Sequence, residues 1–216
     1  MGKFISIEGG EGVGKSSFLL NLESSLKQAG HKTMTTREPG GTKIAQKIRT
    51  LFMSPPEDEV LEVVSELFLV SAARCQHVSS RILPGLKSDN WVLCDRFHDS
   101  TRVYQGIGGS LPEGQIESII ALSTGGLDPD LTFILDCDVK TALSRIDKRN
   151  ANNETQESGN RYDEASYQFH QTLRSGFLRL KKTFPDRIVV LDASQAPEAV
   201  LDDAVRHINN RFGMTL

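Results

Sequence analysis

One short stretch constrains the fold of this chain more than any other. Residues 9–16, GGEGVGKS, match G-x-x-x-x-G-K-[ST], directly after the apolar run Lys3–Ile7 and directly before a segment of helical periodicity. The glycines let the backbone curl so that successive N–H groups point at phosphate oxygens, and the N-terminus of the following helix adds positive potential. Strand, loop and helix in that order remove most chance matches to so short a pattern. The stretch predicts a phosphate-holding turn at the C-terminal end of a buried strand.

The rest of the chain repeats that arrangement. Strand-like apolar and β-branched runs occur at Lys3–Ile7, Lys32–Thr36, Trp91–Cys94, Leu131–Cys137 and Arg187–Leu191, with amphipathic segments long enough for helices between them. Short strands alternating with helices predict an α/β domain with a five-stranded parallel sheet covered on both faces. Ligands then bind at the carboxyl ends of the strands. Lys15–Ala29 carries Phe18, Leu19, Leu22 and Leu26 at helical spacing and stops at Gly30, a suitable residue just past a helix end. The segment Asp58–Leu86 is apolar around much of its circumference, which predicts a helix buried on several sides, in the core or against a partner subunit. Asn150–Asn160, NANNETQESGN, holds a single alanine and no larger apolar residue, so it is expected to be a mobile surface loop.

At 216 residues the chain suits one domain, 1–216, without repeats. A formal charge of −3 leaves no basic footprint, which argues against a nucleic-acid partner. No apolar run approaches the ~18 residues of a membrane span, and no signal-peptide core opens the chain. MGKFIS fits an N-terminal acylation pattern, but its apolar residues are better used as the strand that feeds the loop. Cys75, Cys94 and Cys137 show no paired spacing, and the latter two lie in apolar runs as small buried hydrophobes. A cytoplasmic protein is expected.

The loop residues Gly9, Gly10, Glu11, Gly12, Val13, Gly14, Lys15, Ser16 and Ser17 are the candidates to hold ATP. Lys15 would reach the β and γ phosphates, and the Ser16 hydroxyl would ligate Mg²⁺. No N-K-x-D sequence is present to read guanine, and the strand ending in Asp95 lacks the D-x-x-G of a GTPase switch. The chain is short for a motor ATPase, which leaves a small-molecule kinase. Asp95 stands where an acid can hold Mg²⁺ through water, and the adjacent Arg96 can bridge the two phosphates that react.

Four further blocks, TREPGGT (Thr36–Thr42), LFLVSAARCQH (Leu67–His77), DRFHDSTRVYQG (Asp95–Gly106) and PDLTFILD (Pro129–Asp136), follow at the spacing of thymidylate kinases. With DASQAPEAV near its end, the chain resembles that family over nearly its whole length. The resemblance implies a P-loop NTPase fold of nucleoside monophosphate kinase type and the reaction ATP + dTMP → ADP + dTDP. It implies that Arg49 and Arg96 grip the dTMP phosphate, that Arg74 donates to a thymine carbonyl, and that Thr101 and Gln105 complete the base pocket. Tyr104 would lie under the sugar, where a ribose 2′-hydroxyl would clash. A planar guanidinium fork suits phosphate and carbonyl alike, and a flat ring can exclude one oxygen. The family usually stacks a phenylalanine on thymine four residues before the base-reading arginine. Here that position is Val70, and Phe68 points to a nearly opposite helix face. Gln46 also replaces a common family glutamate.

Phosphoryl transfer needs more positive charge than one lysine supplies, and one added arginine is worth ~10³–10⁵ in rate. One branch of the family carries that arginine in the phosphate loop; the other, bacterial in type, supplies it from a lid. Glu11, Gly12 and Val13 place this chain in the second branch, with a lid at about 146–164 and Arg149 and Arg161 as its candidates. Relatives often read D-R-x-E where this chain has Asn160-Arg161-Tyr162-Asp163. Catalysis is expected from Lys15, Arg96 and a lid arginine, with Glu11 near the acceptor sugar and Mg²⁺ on Ser16 and Asp95. The resemblance also implies a homodimer through the 58–86 segment. Two alternatives stay open: a kinase for another nucleoside monophosphate, favoured if Val70 marks a changed base pocket, and a nucleotide-binding module without catalysis.

Overall fold

A computed structural model describes residues 2–151, 162 and 165–216. The chain order is β1 (Lys3–Glu8), α1 (Lys15–Gln28), β2 (Thr33–Arg37), α2 (Lys43–Met53), α3 (Val63–His77), a π-helical turn (Val78–Ile82) and α4 (Leu83–Lys87). There follow β3 (Trp91–Asp95), α5 (His98–Thr101), a second π-helical turn (Arg102–Gly108), α6 (Glu113–Thr124), β4 (Leu131–Asp136), α7 (Val139–Ala151), α8 (Tyr167–Thr183), β5 (Ile188–Asp192) and α9 (Pro197–Phe212). The five strands pair in the order β2-β3-β1-β4-β5, and every pair is parallel. Each expected strand lies within a residue or two of its observed place.

Strand alternation divides the core. Ile5 and Ile7 of β1 turn to one face with Leu93, Leu131 and Phe133, and pack on Phe18, Leu22 and Leu26 of α1 and on Val200, Ala204 and Ile208 of α9. Phe4 turns to the other face, among Val78, Ile82, Val92 and Phe97, with its ring edge-on to Phe97 at 4.9 Å. Farther along that face, Leu173, Phe177 and Leu180 of α8 cover Ile134 and Ile188. Ser6 and Glu8 share the Phe4 face by the same alternation. Helices therefore cover both faces of the sheet.

One expectation is corrected. The 58–86 segment is not one helix: α3 starts only at Val63, after the proline- and acid-rich 55–62, and a π-helical turn separates it from α4. Within the chain, α3 buries its inward side. Leu67, Val70, Ala73, Arg74 and His77 turn inward, whereas Val64 and Phe68 are exposed, Phe68 by 58%. Residues 146–151, assigned to the lid, form the last turns of α7, and Ile146 is 3% exposed. The remainder of the polar tract from Asn152 and the candidate Arg161 lie outside the described residues. Cys94 and Cys137 are buried as expected. Among the described residues no helix is long and apolar enough to cross a membrane.

Candidate active site

The phosphate loop leaves β1 at its carboxyl end, at the middle of the sheet. Its shape depends on glycine at two positions in particular. Gly12 has φ +72°, and a Cβ there would meet the Ala142 carbonyl oxygen at 2.2 Å; Gly9 has φ +136°, and its Cβ would meet the Leu135 carbonyl at 2.5 Å. Both glycines thus bring the loop against β4 and α7, which an alanine could not do. Lys15 opens α1 and is 8% exposed. Its Nζ donates to the carbonyls of Gly10 at 2.6 Å and Gly9 at 3.3 Å, so the ammonium lies along the inside of the loop. Burial, and after it the neighbouring Arg96 charge, pulls the Lys15 pKa below the usual lysine range, while Glu11, Asp95 and Glu8 oppose the shift. Ser16 is exposed beside it at the first turn of α1.

The end of β3 comes alongside. The Arg96 N–H donates to the Ile7 carbonyl at 2.9 Å, and the residue sits in the left-handed region at φ +68°. A non-glycine residue in that conformation costs roughly 1–3 kcal/mol and persists where its surroundings hold it. Glu8 does the holding. It is fully buried, accepts the Phe97 N–H at 2.7 Å on Oε1 and accepts the Ser100 hydroxyl at 2.6 Å on Oε2. Burial first, then the charge of Asp99, raises the Glu8 pKa to about 7. The Arg96 guanidinium is thereby aimed back across the loop, with Nη1 donating to the Gly9 carbonyl at 2.8 Å and Nη2 to Glu11 Oε1 at 2.8 Å. Burial alone would lower the Arg96 pKa, but Glu11, Tyr104, Asp95 and Glu8 raise it on balance. Tyr104 donates its hydroxyl to the same Glu11 oxygen at 2.9 Å, and its ring lies 5.1 Å from the Arg96 guanidinium. Asp95 Oδ1 is buried with no hydrogen-bond partner among the described residues.

Beyond Arg96 opens a cavity with about 570 Å³ of empty space. Arg49, Val70, Arg74, Arg96, Thr101, Tyr104 and Gln105, expected around dTMP, all line it, and so does Glu11. Arg74 is 2% exposed and almost fully engaged: Nε donates to Glu38 Oε2 at 2.7 Å, and Nη2 donates to Thr101 Oγ1 at 2.9 Å and to the Phe97 carbonyl at 3.3 Å. Nη1 is buried without a partner among the described residues. Glu38 is also joined to His77 Nδ1 at 3.0 Å, and His77 Nε2 to Thr36 Oγ1 at 2.6 Å. Burial would raise the Glu38 pKa, but the Arg74 charge and the bond and charge of His77 outweigh it and lower it. Arg49 reaches in from α2 and donates Nη1 to the Pro39 carbonyl at 3.0 Å. Val70 turns into the cavity and Phe68 away from it, as helical geometry demanded.

Arg149 lies on α7, before the undescribed segment, and is absent from the lining of this cavity. Nearer the start of α7, Arg145 donates Nη2 to the Ala193 carbonyl at 3.0 Å, tying α7 to the loop after β5. Sequence reasoning missed several lining residues. Glu38 lay inside the quoted TREPGGT block, and its partnership with Arg74 crosses 36 positions. Phe52, Met53 and Tyr162 also line the cavity; no motif marked the first two, and Tyr162 stood unassigned inside the quoted Asn160–Asp163 stretch. The Tyr162 ring lies 4.9 Å from that of Tyr104 and 6.3 Å from that of Phe52.

The arrangement joins a phosphate-binding turn, a buried lysine and a fixed arginine to a cavity lined by Arg74, which keeps a spare guanidinium nitrogen among the described residues. That is the equipment for transferring a phosphoryl group to a small planar acceptor that carries its own phosphate. Comparison with known proteins agrees. The family model for thymidylate kinase matches residues 7–204. A thymidylate kinase of Limosilactobacillus reuteri (strain DSM 20016) is 41% identical over 213 residues, covering 98% of this chain and 97% of the relative. One of Geobacter sulfurreducens (strain ATCC 51573 / DSM 12127 / PCA) is 40% identical over 215 residues, with 98% of each chain covered. The crystal structure of thymidylate kinase from Ehrlichia chaffeensis superposes with a TM-score of 0.76 at 27% identity, over 96% of this chain and 98% of that one. On sequence, fold and site geometry together, the chain belongs to the thymidylate kinase family.

Proposed function

We propose that this chain transfers the γ-phosphoryl group of ATP to dTMP, giving ADP and dTDP on the way to dTTP. The observation that carries the reading is the spare donor of Arg74. A buried guanidinium nitrogen with no partner among the described residues, on an arginine that lines the same cavity as Glu11 of the phosphate loop and Arg96, calls for a ligand acceptor such as a pyrimidine carbonyl. ATP lies on the loop formed by residues 9–17, with its β and γ phosphates toward Lys15. The dTMP phosphate lies toward Arg49 and Arg96, and the base lies toward Val70, Arg74, Thr101 and Gln105.

The acceptor phosphate is already ionised, so the site needs no strong general base. Its work is positioning and charge neutralisation. Lys15 and Arg96 supply two cations from fixed places. Glu11 fastens Arg96 and Tyr104 together, which sets the floor beneath the acceptor sugar and disfavours a ribose 2′-hydroxyl there. A third cation comes from Arg149 or Arg161. The exposed Ser16 hydroxyl and the unpartnered Asp95 Oδ1 fit a magnesium ion and its water, and they are the residues that would hold it. When bound, Mg²⁺ neutralises charge on the phosphates being transferred.

We also read the outer face of α3 as a homodimer interface. Val64 and Phe68, one helical turn apart, are 49% and 58% exposed there, apolar side chains suited to a second copy. Free cysteines support a compartment that keeps thiols reduced, the cytoplasm.

A second reading rests on Val70: with no ring on that wall, another nucleoside monophosphate could be the preferred acceptor. A coupled assay of ADP release with dTMP, dUMP, dCMP and dGMP tests both. Preference for dTMP is expected, and comparable rates on all four would overturn it. Tight ATP binding with no transfer to any of them would point instead to a nucleotide-binding module, against which the intact Lys15, Ser16, Asp95 and Arg96 argue.

A further inference from the structure

Behind two residues of the cavity wall lies a buried carboxylate that phosphoryl transfer does not use. Glu66 is 6% exposed and lies on the inward face of α3, one helical turn before Val70 and two before Arg74. Its Oε2 accepts the Gln105 amide Nε2 at 3.1 Å and the Tyr162 hydroxyl at 3.2 Å. Gln105 and Tyr162 both line the cavity. A carboxylate offers lone pairs only, so the Gln105 amide can face it with its nitrogen and not with its oxygen. The amide oxygen is then the group that Gln105, itself 2% exposed, has left for a ligand.

The direction of that amide has consequences for base choice. An acceptor in the pocket pairs with a ring N–H and repels a ring nitrogen that carries only a lone pair. Thymine and uracil present N3–H, whereas cytosine presents a bare N3. Arg74 Nη1 adds a donor, which suits the carbonyl at position 4 of thymine and opposes the amine of cytosine. Left alone, a glutamine amide can turn over and satisfy either base, because its two ends differ only in hydrogen-bonding sense.

We propose that Glu66 is a specificity-determining positioning residue: by holding the Gln105 amide in one orientation, it makes the pocket favour 4-oxo pyrimidine monophosphates over 4-amino ones. The inference rests on the reading of this cavity as the dTMP pocket. Glu66 touches no reacting atom, and its effect passes through Gln105. Tyr162 donates to the same carboxylate oxygen, so Glu66 holds two residues of the cavity wall.

The test is the ratio of kcat/KM for dTMP to that for dCMP, measured with the full chain. Glu66→Gln removes the acceptor-only group and lets the facing amide turn. Efficiency on dCMP is expected to rise by up to about tenfold, the scale of one mispaired buried hydrogen bond relieved. Efficiency on dTMP should change less than about threefold, because the freed amide can still turn its oxygen to N3–H, and KM for ATP should stay the same. Glu66→Asp keeps an acceptor-only group and should retain most of the preference. Should Glu66→Gln not fold, Glu66→Met, of similar length and without polar atoms, should show the same narrowing. A purely structural role would lower activity on both bases together. An unchanged dTMP-to-dCMP ratio in a folded Gln or Met variant overturns the role of Glu66 alone. A wild-type enzyme that fails to prefer dTMP overturns the underlying reading of the cavity.

Discussion

Replacing Glu38 by glutamine isolates the electrostatics that hold Arg74, the proposed base-reading arginine. The side chains of Glu38 and Arg74 are 4% and 3% exposed, and their bond is 2.7 Å long. Glutamine can still accept the Arg74 Nε bond through its oxygen, and a change of His77 tautomer can accommodate its amine, so the shape of the cluster survives. The counter-charge does not. Arginine cannot shed its proton at any accessible pH, which leaves a buried cation without its anion. Breaking one side of a buried pair costs about 3–5 kcal/mol, and the retained hydrogen bond argues for the lower end, about 3 kcal/mol. For a chain of this size that corresponds to a fall in Tm of roughly 6–12 °C at pH 7, at ~2–4 °C per kcal/mol.

The pH dependence gives the sign. The folded-state pKa of Glu38 is lowered, so its contribution is present above the unfolded value and is lost as pH falls through the folded one. The gap in stability between wild type and Glu38→Gln should therefore be widest near neutrality and close below about pH 4, near the carboxylate reference value. Calorimetry or urea unfolding from pH 3 to 7 measures it. The double variant Glu38→Met/Arg74→Met removes both charges and should recover much of the lost stability while binding dTMP poorly. A Tm within about 2 °C of wild type at pH 7, or a gap that does not close in acid, would refute the reasoning, since the cost per kcal/mol is ~2–4 °C.

Three further outcomes follow from the site and its surroundings. Arg149→Ala and Arg161→Ala should divide sharply, one losing ~10³-fold or more in turnover and the other little; near wild-type turnover in both would end the lid-arginine idea. Phe68→Glu puts a charge on the apolar outer face of α3 and should convert a dimer to a monomer by light scattering at micromolar concentration, with a monomeric wild type as the contrary result. Glu8 is raised from 4.5 to about 7, so the folded state holds its proton where the unfolded state has released it. Stability should fall as pH rises through that window, by up to ~1.4 kcal/mol per pH unit. Glu8→Gln should flatten the slope between pH 5 and 7, and an equal slope in both proteins would dismiss Glu8 as its source.

The sheet and the phosphate loop were legible because each is written locally. A β-strand announces itself by β-branched and apolar residues, a helix by its period, and the loop by glycines that sequence neighbours cannot replace. Alternation of strands and helices predicted parallel strands, and the structure supplied their order. Arg49 and Arg74 were not legible in that way. On helix periodicity both resemble solvated charges, and only likeness to a family marked them.

The chain by itself determined a five-stranded α/β domain, a nucleotide loop ending in Lys15 and Ser16, and the acid and base at the end of β3. Tertiary structure decided what those groups can do. Only folding sets Glu38 against Arg74, Glu8 beneath the left-handed turn at Arg96, and Glu66 against Gln105 and Tyr162, across separations of 36 to 96 positions. Such pairs leave no period or spacing in a sequence, because they form between different elements brought to one end of the sheet. The physical reason is burial: a carboxylate taken out of water must find its donors wherever the fold supplies them. In this chain those donors are the groups that line the cavity.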